Sequence, residues 1–132
     1  MFNLYILALE NQLAVANGAT VSPEAQIGNE YDFEVTEIRG SIYKAADATG
    51  PVLGTIKLSG GIYVNENPID LYSFLNRTGA QGEGESYPIR IPWTQCIIPS
   101  GTKVSADIVN NSGAAVNVQI YFVGRKIFKG AA

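Results

Sequence analysis

Apolar and polar residues alternate along most of the chain with a period of two, the spacing of a strand with one face buried. Tyr31, Phe33 and Val35 alternate with Asp32, Glu34 and Thr36. Ile38 and Ile42 then fall in the opposite phase, with Gly40 between them. One extra residue near Glu37, a β-bulge, reconciles the two halves. Asp47, Thr49, Gly50 and Pro51 make a turn. A strand follows from Val52 to about Ser59, with Ile56 and Leu58 separated by Lys57. Gly60-Gly61 breaks it, and Ile62-Tyr63-Val64 resumes the pattern.

Residues 67–76 read differently. Asn67 suits a helix cap, Pro68 a first helical position and Asp70 the positive end of a helix dipole. Leu71, Phe74 and Leu75 follow at spacings of three and four. The pattern predicts one short crossover helix ending near Asn76. Gly79 to Ser86 reads as a flexible acidic loop. Ile89-Arg90-Ile91 and Cys96-Ile97-Ile98 are strand fragments interrupted by Pro88, Pro92 and Pro99, which places them at sheet edges or strand ends. Val104, Ala106 and Ile108 alternate with Lys103, Ser105 and Asp107. Asn110-Asn111-Ser112-Gly113 turns the chain, with the asparagines suited to left-handed backbone angles. Val116, Val118, Ile120 and Phe122 then alternate with Asn117, Gln119 and Tyr121, completing a hairpin.

Seven or more short strands with regular turn clusters predict an all-β protein, an antiparallel sandwich of two packed sheets. Its expected core is Phe33, Val35, Ile56, Leu58, Val104, Ile108, Val118, Ile120 and Phe122. Residues 31–132 are expected to form this single domain, with residues 1–30 an N-terminal strand or arm and linker.

Phe2-Asn3-Leu4-Tyr5-Ile6-Leu7-Ala8-Leu9 is apolar at both strand parities. It lacks the basic flank of a secretory signal, since no Lys or Arg precedes Arg39, and it is too short to span a bilayer as a helix. An apolar strand calls for cover on both faces. Two readings stay open: an arm reaching into a neighbouring subunit, or a central strand of its own sheet.

Charged residues are 16% of the 132-residue chain, well below the usual quarter or so. A weakly charged surface suits a protein partly covered by neighbours. The net charge of −3 argues against nucleic acid as a partner. The chain has no His and one Cys. That excludes His-based triads, His-containing zinc sites, Cys-x-x-Cys motifs and an internal disulfide. The expectation is a binding or structural protein, with no enzyme activity, cofactor, resident metal or membrane partner.

Three sets of residues still bear on chemistry. Glu83 and Glu85, with Asp47 or Asp70, carry oxygen ligands for calcium but lack the spacing of a calcium loop. Glu34 and Glu37 are the nearest carboxylate pair, without a motif for glycoside hydrolysis. Trp93, Tyr63, Tyr72, Tyr87 and Tyr121 suit a sugar-stacking platform, the core or a subunit interface. Phe2, Leu4, Tyr5, Ile6, Leu7, Tyr63, Tyr72 and Trp93 are the candidate interface residues. Asn76-Arg77-Thr78 and Asn110-Asn111-Ser112 match the glycosylation sequon, a common chance pattern in Asn-rich turns.

One stretch resembles a known group. Tyr87-Pro88, Ile97-Ile98-Pro99-Ser100-Gly101-Thr102, Val104 to Ile108, Asn110-Asn111-Ser112-Gly113 and Val118 to Lys126 follow the order seen in small jelly-roll structural proteins of tailed bacteriophage virions. In those proteins a proline-flanked strand leads to an I-P-x-G-T turn, and the last strand ends in F-x-G-x-K, here Phe122-Val123-Gly124-Arg125-Lys126. The resemblance covers residues 87–128, and more loosely the chain from residue 31. It implies a jelly-roll-like fold and a capsid decoration or minor capsid protein, assembled into virions in the bacterial cytoplasm. It also implies binding to the major capsid or other virion proteins, and self-association, with a trimer favoured. The alternative is a carbohydrate- or receptor-binding module of a phage tail or head fibre, with Trp93 and two tyrosines around a shallow groove.

Overall fold

The computed structural model describes residues 4–9, 13–59, 62–63, 67–79, 84, 88–92 and 95–128. Among these residues thirteen strands run in chain order: β1 (Leu4–Ala8), β2 (Leu13–Val15), β3 (Thr20–Val21), β4 (Glu24–Gln26), β5 (Tyr31–Lys44), β6 (Val52–Ser59), β7 (Ile62–Tyr63), β8 (Ile69–Asp70), β9 (Asn76–Gly79), β10 (Ile89–Arg90), β11 (Ile97–Ile98), β12 (Lys103–Asn110) and β13 (Val116–Phe128). They form a seven-stranded sheet built on β1-β13-β5-β10 and a six-stranded sheet built on β3-β12-β6-β7.

The short fragments share partners, and that sharing reveals the topology. β1 and β2 lie along one edge of β13, whose other edge is filled by β5. β3 and β4 lie along β12, opposite β6. β7 and β8 lie along the free side of β6, and β9, β10 and β11 along that of β5. Treated as single ribbons, these pieces number eight, ordered 1-8-3-6 in one sheet and 2-7-4-5 in the other. The pairs 1·8, 2·7, 3·6 and 4·5 are those of one long hairpin rolled over on itself, the jelly-roll arrangement. Among the described strands β9 alone runs parallel to its neighbour, β5, so the sixth ribbon proper is β10 and β11. Residues 4–26 therefore supply edge strands to both sheets.

Between the sheets lie Phe33, Val35, Ile38 and Ile42 of β5, Val52, Ile56 and Leu58 of β6, Val104, Ala106 and Ile108 of β12, and Val116, Val118, Ile120 and Phe122 of β13, all buried. β5 changes phase partway: Val123 sits opposite Glu37 but Gly124 opposite Val35, so Thr36 is the extra residue. Gly124 is required there, because an added Cβ would overlap the carbonyl oxygen of Glu34.

The short helix expected over 67–76 is absent. Ile69 and Asp70 pair with Gly54 and Leu53 as strand β8, and only Leu71–Ser73 coil, as one 3₁₀ turn. Its cap is Asp70 rather than Asn67, with the Tyr72 amide donating to Asp70 Oδ1 at 3.0 Å. The chain must reach Asn76, which pairs with Ser41, so no length remains for a second turn. Leu71, Phe74 and Leu75 are buried as the spacing requires, as a plug for the sandwich rather than a helix face. The left-handed angle of the Asn-rich turn falls on Gly113 (φ 102°). Asn110 instead is buried: its amide donates to the carbonyls of Val15 (2.9 Å) and Ala114 (2.7 Å), and its Oδ1 accepts from the Ser112 amide (2.9 Å).

Candidate interaction surface

The outer face of the seven-stranded sheet carries the unusual chemistry. Side chains directly opposite one another on paired strands point to the same face. On β1, Leu7 is buried, while Leu4 and Ile6 are 58% and 54% exposed. The fully apolar strand is thus a strand of its own sheet, covered on its inner face and bare on its outer one. β1 lies at the end of the sheet, paired only with β13 among the described residues.

Leu4 sits opposite Arg125, Arg125 opposite Glu34, and Glu34 opposite Ile97, giving one row across four strands. The Arg125 Nε donates to Glu34 Oε1 at 2.5 Å. The Glu34 side chain is wholly buried although its strand position faces outward, and Ile97 beside it is 46% exposed. A buried carboxylate of this kind depends on its partner, since removing one member leaves an uncompensated charge. The next row runs Ile6, Val123, Glu37, Arg90. Glu37 is held by the Arg39 Nε at 2.6 Å, with the Arg90 Nε at 3.9 Å. Beside the bulge, Thr36, Glu37, Arg90, Ile91 and Pro92 line a shallow cleft of about 380 Å³. The surface is a band of exposed aliphatic side chains interrupted by ion pairs.

The remaining candidates are scattered. Tyr5 turns towards the inter-sheet end, edge-on to Tyr31 (5.5 Å between ring centres) and Phe33 (5.2 Å). The Lys126 ammonium lies over both tyrosine rings, 4.4 Å from Tyr5 and 4.5 Å from Tyr31. Burial, with a hydrogen bond that the Tyr5 hydroxyl donates to Tyr31, pushes the Tyr5 phenol up to about 12. At the other end, Tyr72 is half-buried beneath the Lys44 ammonium (4.3 Å) and the Arg77 guanidinium (5.5 Å). Burial lowers the Lys44 pKa, with Asp70 pulling the other way. Tyr63 lies on β7 opposite Lys57. Tyr121 is half-buried on the outer face, opposite Arg39.

Glu34 and Glu37, the carboxylate pair, are each engaged by arginine. Asp70 caps the 3₁₀ turn. Phe2, Trp93, Glu83, Glu85 and Tyr87 lie outside the described residues. No group of three His, Cys, Asp or Glu side chains gathers as a metal site among the described residues. Cys96 is half-buried, and burial raises its thiol pKa. Ile97 was not singled out from sequence. Its signal, an apolar pair Ile97-Ile98 occupying both strand parities, is the one that marks β1.

No protein-family model matches the chain, and no curated protein sequence matches it. Among solved structures, it is similar to the crystal structure of the infectious bursal disease virus VP2 subviral particle, at 12% sequence identity and a TM-score of 0.40. The match covers 92% of this chain and 33% of that one, so the chain spans about a third of that protein's length.

Proposed function

We propose that this chain is a non-enzymatic structural protein of a virion, a decoration or minor capsid subunit of the tailed-phage type that binds the shell and associates with copies of itself. The jelly-roll topology is compatible with this and also with lectins, so topology alone does not select the role. The virion reading draws on the resemblance of residues 87–128 to phage structural proteins. The observation that carries self-association is the bare outer face of β1, with Leu4 and Ile6 more than half exposed on a sheet edge that has no further strand among the described residues.

Burying one such side chain fully is worth about 1.5–3 kcal/mol. A pair of edges brings together four such side chains, each a little over half exposed, so its gain is of the same order as the roughly 4–15 kcal/mol that association costs and leaves little surplus. Stable attachment needs several such contacts at once, as in a ring or on a lattice, where linked subunits gain from effective concentration. Each subunit then acts as a staple across a seam, raising the cost of opening it.

Native mass spectrometry and sedimentation of the purified chain, with a co-pelleting assay on shells of its host phage, test this. The expected result is an oligomer that pellets with shells. The double variant Leu4→Asp/Ile6→Asp is expected to become monomeric while keeping its β-sheet circular dichroism. A wild-type chain that stays monomeric and never pellets with shells overturns the proposal.

A further inference from the structure

The outer face of the seven-stranded sheet is divided in its chemistry. The ion pairs of Glu34 and Glu37 and the exposed aliphatics occupy one half. The other half, where β13, β5 and β9 run side by side, is polar and carries no charge at the positions that matter below. Asn117 sits opposite Tyr43, and Tyr43 opposite Thr78; in the adjacent row Gln119 sits opposite Ser41. These five side chains line a cleft of about 270 Å³, with the Val118 strand at its side.

From this arrangement we infer a binding groove for a neutral saccharide. Tyr43 is 47% exposed and stands in the middle strand, about half of its surface left open. An aromatic ring in that position offers an apolar face against which the C–H face of a pyranose stacks. Asn and Gln amides and Ser and Thr hydroxyls each present donors and acceptors, the pairing that vicinal sugar hydroxyls require. The Thr78 hydroxyl donates to the Ile42 carbonyl, at 3.4 Å, and its oxygen retains acceptor lone pairs. Ser41, the smallest of the five, makes the depression between taller neighbours.

The absence of charge among these five residues decides the ligand class. A groove for phosphate or nucleic acid needs cations, and one for a carboxylated or sulfated sugar needs at least one Arg or Lys. A merely solvated outer face would be expected to carry the charges that the other half of this same face carries. The groove is shallow, so affinity per copy is low, and a subunit repeated on a particle makes it useful by multivalency. The inference is independent of the shell-binding surface, whose residues lie elsewhere on the sheet.

The test displays the full chain multivalently on streptavidin over a printed panel of neutral and acidic oligosaccharides, followed by NMR titration with the best sugar. Retention on at least one neutral glycan is expected. Tyr43→Ala and Asn117→Ala should each weaken binding about tenfold or more, with unchanged circular dichroism. Gln119→Ala, at a half-exposed position, provides a further variant should either misfold. Leu4→Asp/Ile6→Asp should retain the sugar in the titration, which separates this site from self-association. The inference is overturned if no neutral glycan is retained, if only acidic glycans are, or if the Tyr43→Ala/Asn117→Ala double variant binds as well as the wild type.

Discussion

Phe122 shows how one side chain reports the phase of a whole strand. It is fully buried between the sheets, with Ile120 and Val118 on the same side of β13. Phe122→Ala is expected to cost about 3–5 kcal/mol in urea unfolding, the range for a large core aromatic. Asp107 is the residue with a defined acid signature. Its carboxylate is held by Lys57 at 2.6 Å and accepts from the Ser22 hydroxyl at 2.7 Å, and the Lys57 hydrogen bond leads in lowering its pKa below 3.8. A depressed carboxylate stabilises the fold above the unfolded value and loses that contribution as pH falls through the folded one. Asp107→Asn should therefore flatten the acid limb of a stability–pH profile below about pH 4 and leave the neutral region less stable than wild type. Asn110 was legible as a turn residue but not as a buried one. Its side chain bonds Ala114 and Ser112 within the turn but also the Val15 carbonyl from a distant segment, and spacing alone carries no record of that partner. That burial also leaves the sequon at Asn110 closed to modification in the folded chain.

Among elements, the long alternating strands were readable because one buried face writes a period of two into the sequence. β12 and β13 lie where the alternation places them. The bulge expected near Glu37 falls on the adjacent Thr36. Gly124 faces it on β13, which gives the glycine of the F-x-G-x-K ending a physical cause. Gly124→Ala is expected to cost about 1–3 kcal/mol, the range for overpacking, measured by chemical denaturation. An equal stability for the variant would show that the strands can separate there at no cost. The segment 67–76 was misread because spacings of three and four suit a 3₁₀ plug as well as a helix. What decides between them is where Asn76 must arrive, a fact of the sheet rather than of the segment. The fragments β2, β3 and β4 were the least legible, since strands of two or three residues are too short to establish a period.

At the scale of the molecule, two stacked sheets were readable from strand count and alternation, whereas the jelly-roll order came from the resemblance. The N-terminal segment shows why composition alone left two readings open. Apolar residues at both parities announce two faces needing cover, and this chain provides cover for one. Topology also carries a kinetic expectation. Leu4 pairs with Arg125 and Lys44 with Val116, so the seven-stranded sheet is closed by contacts between distant parts of the chain. Refolding monitored by stopped-flow fluorescence should take about milliseconds to seconds, as for other all-β folds rich in non-local pairing. A chain truncated after Ser112, lacking β13, should show no cooperative unfolding transition.

The central place of β13 bears on biosynthesis as well. It follows β1, β2 and β5 in the chain, yet all three pair with it. Until β13 has been made, the apolar β1 lacks the strand that it pairs with among the described residues. Cells making this protein at high level thus face a window in which chaperone capacity, not final stability, sets the yield.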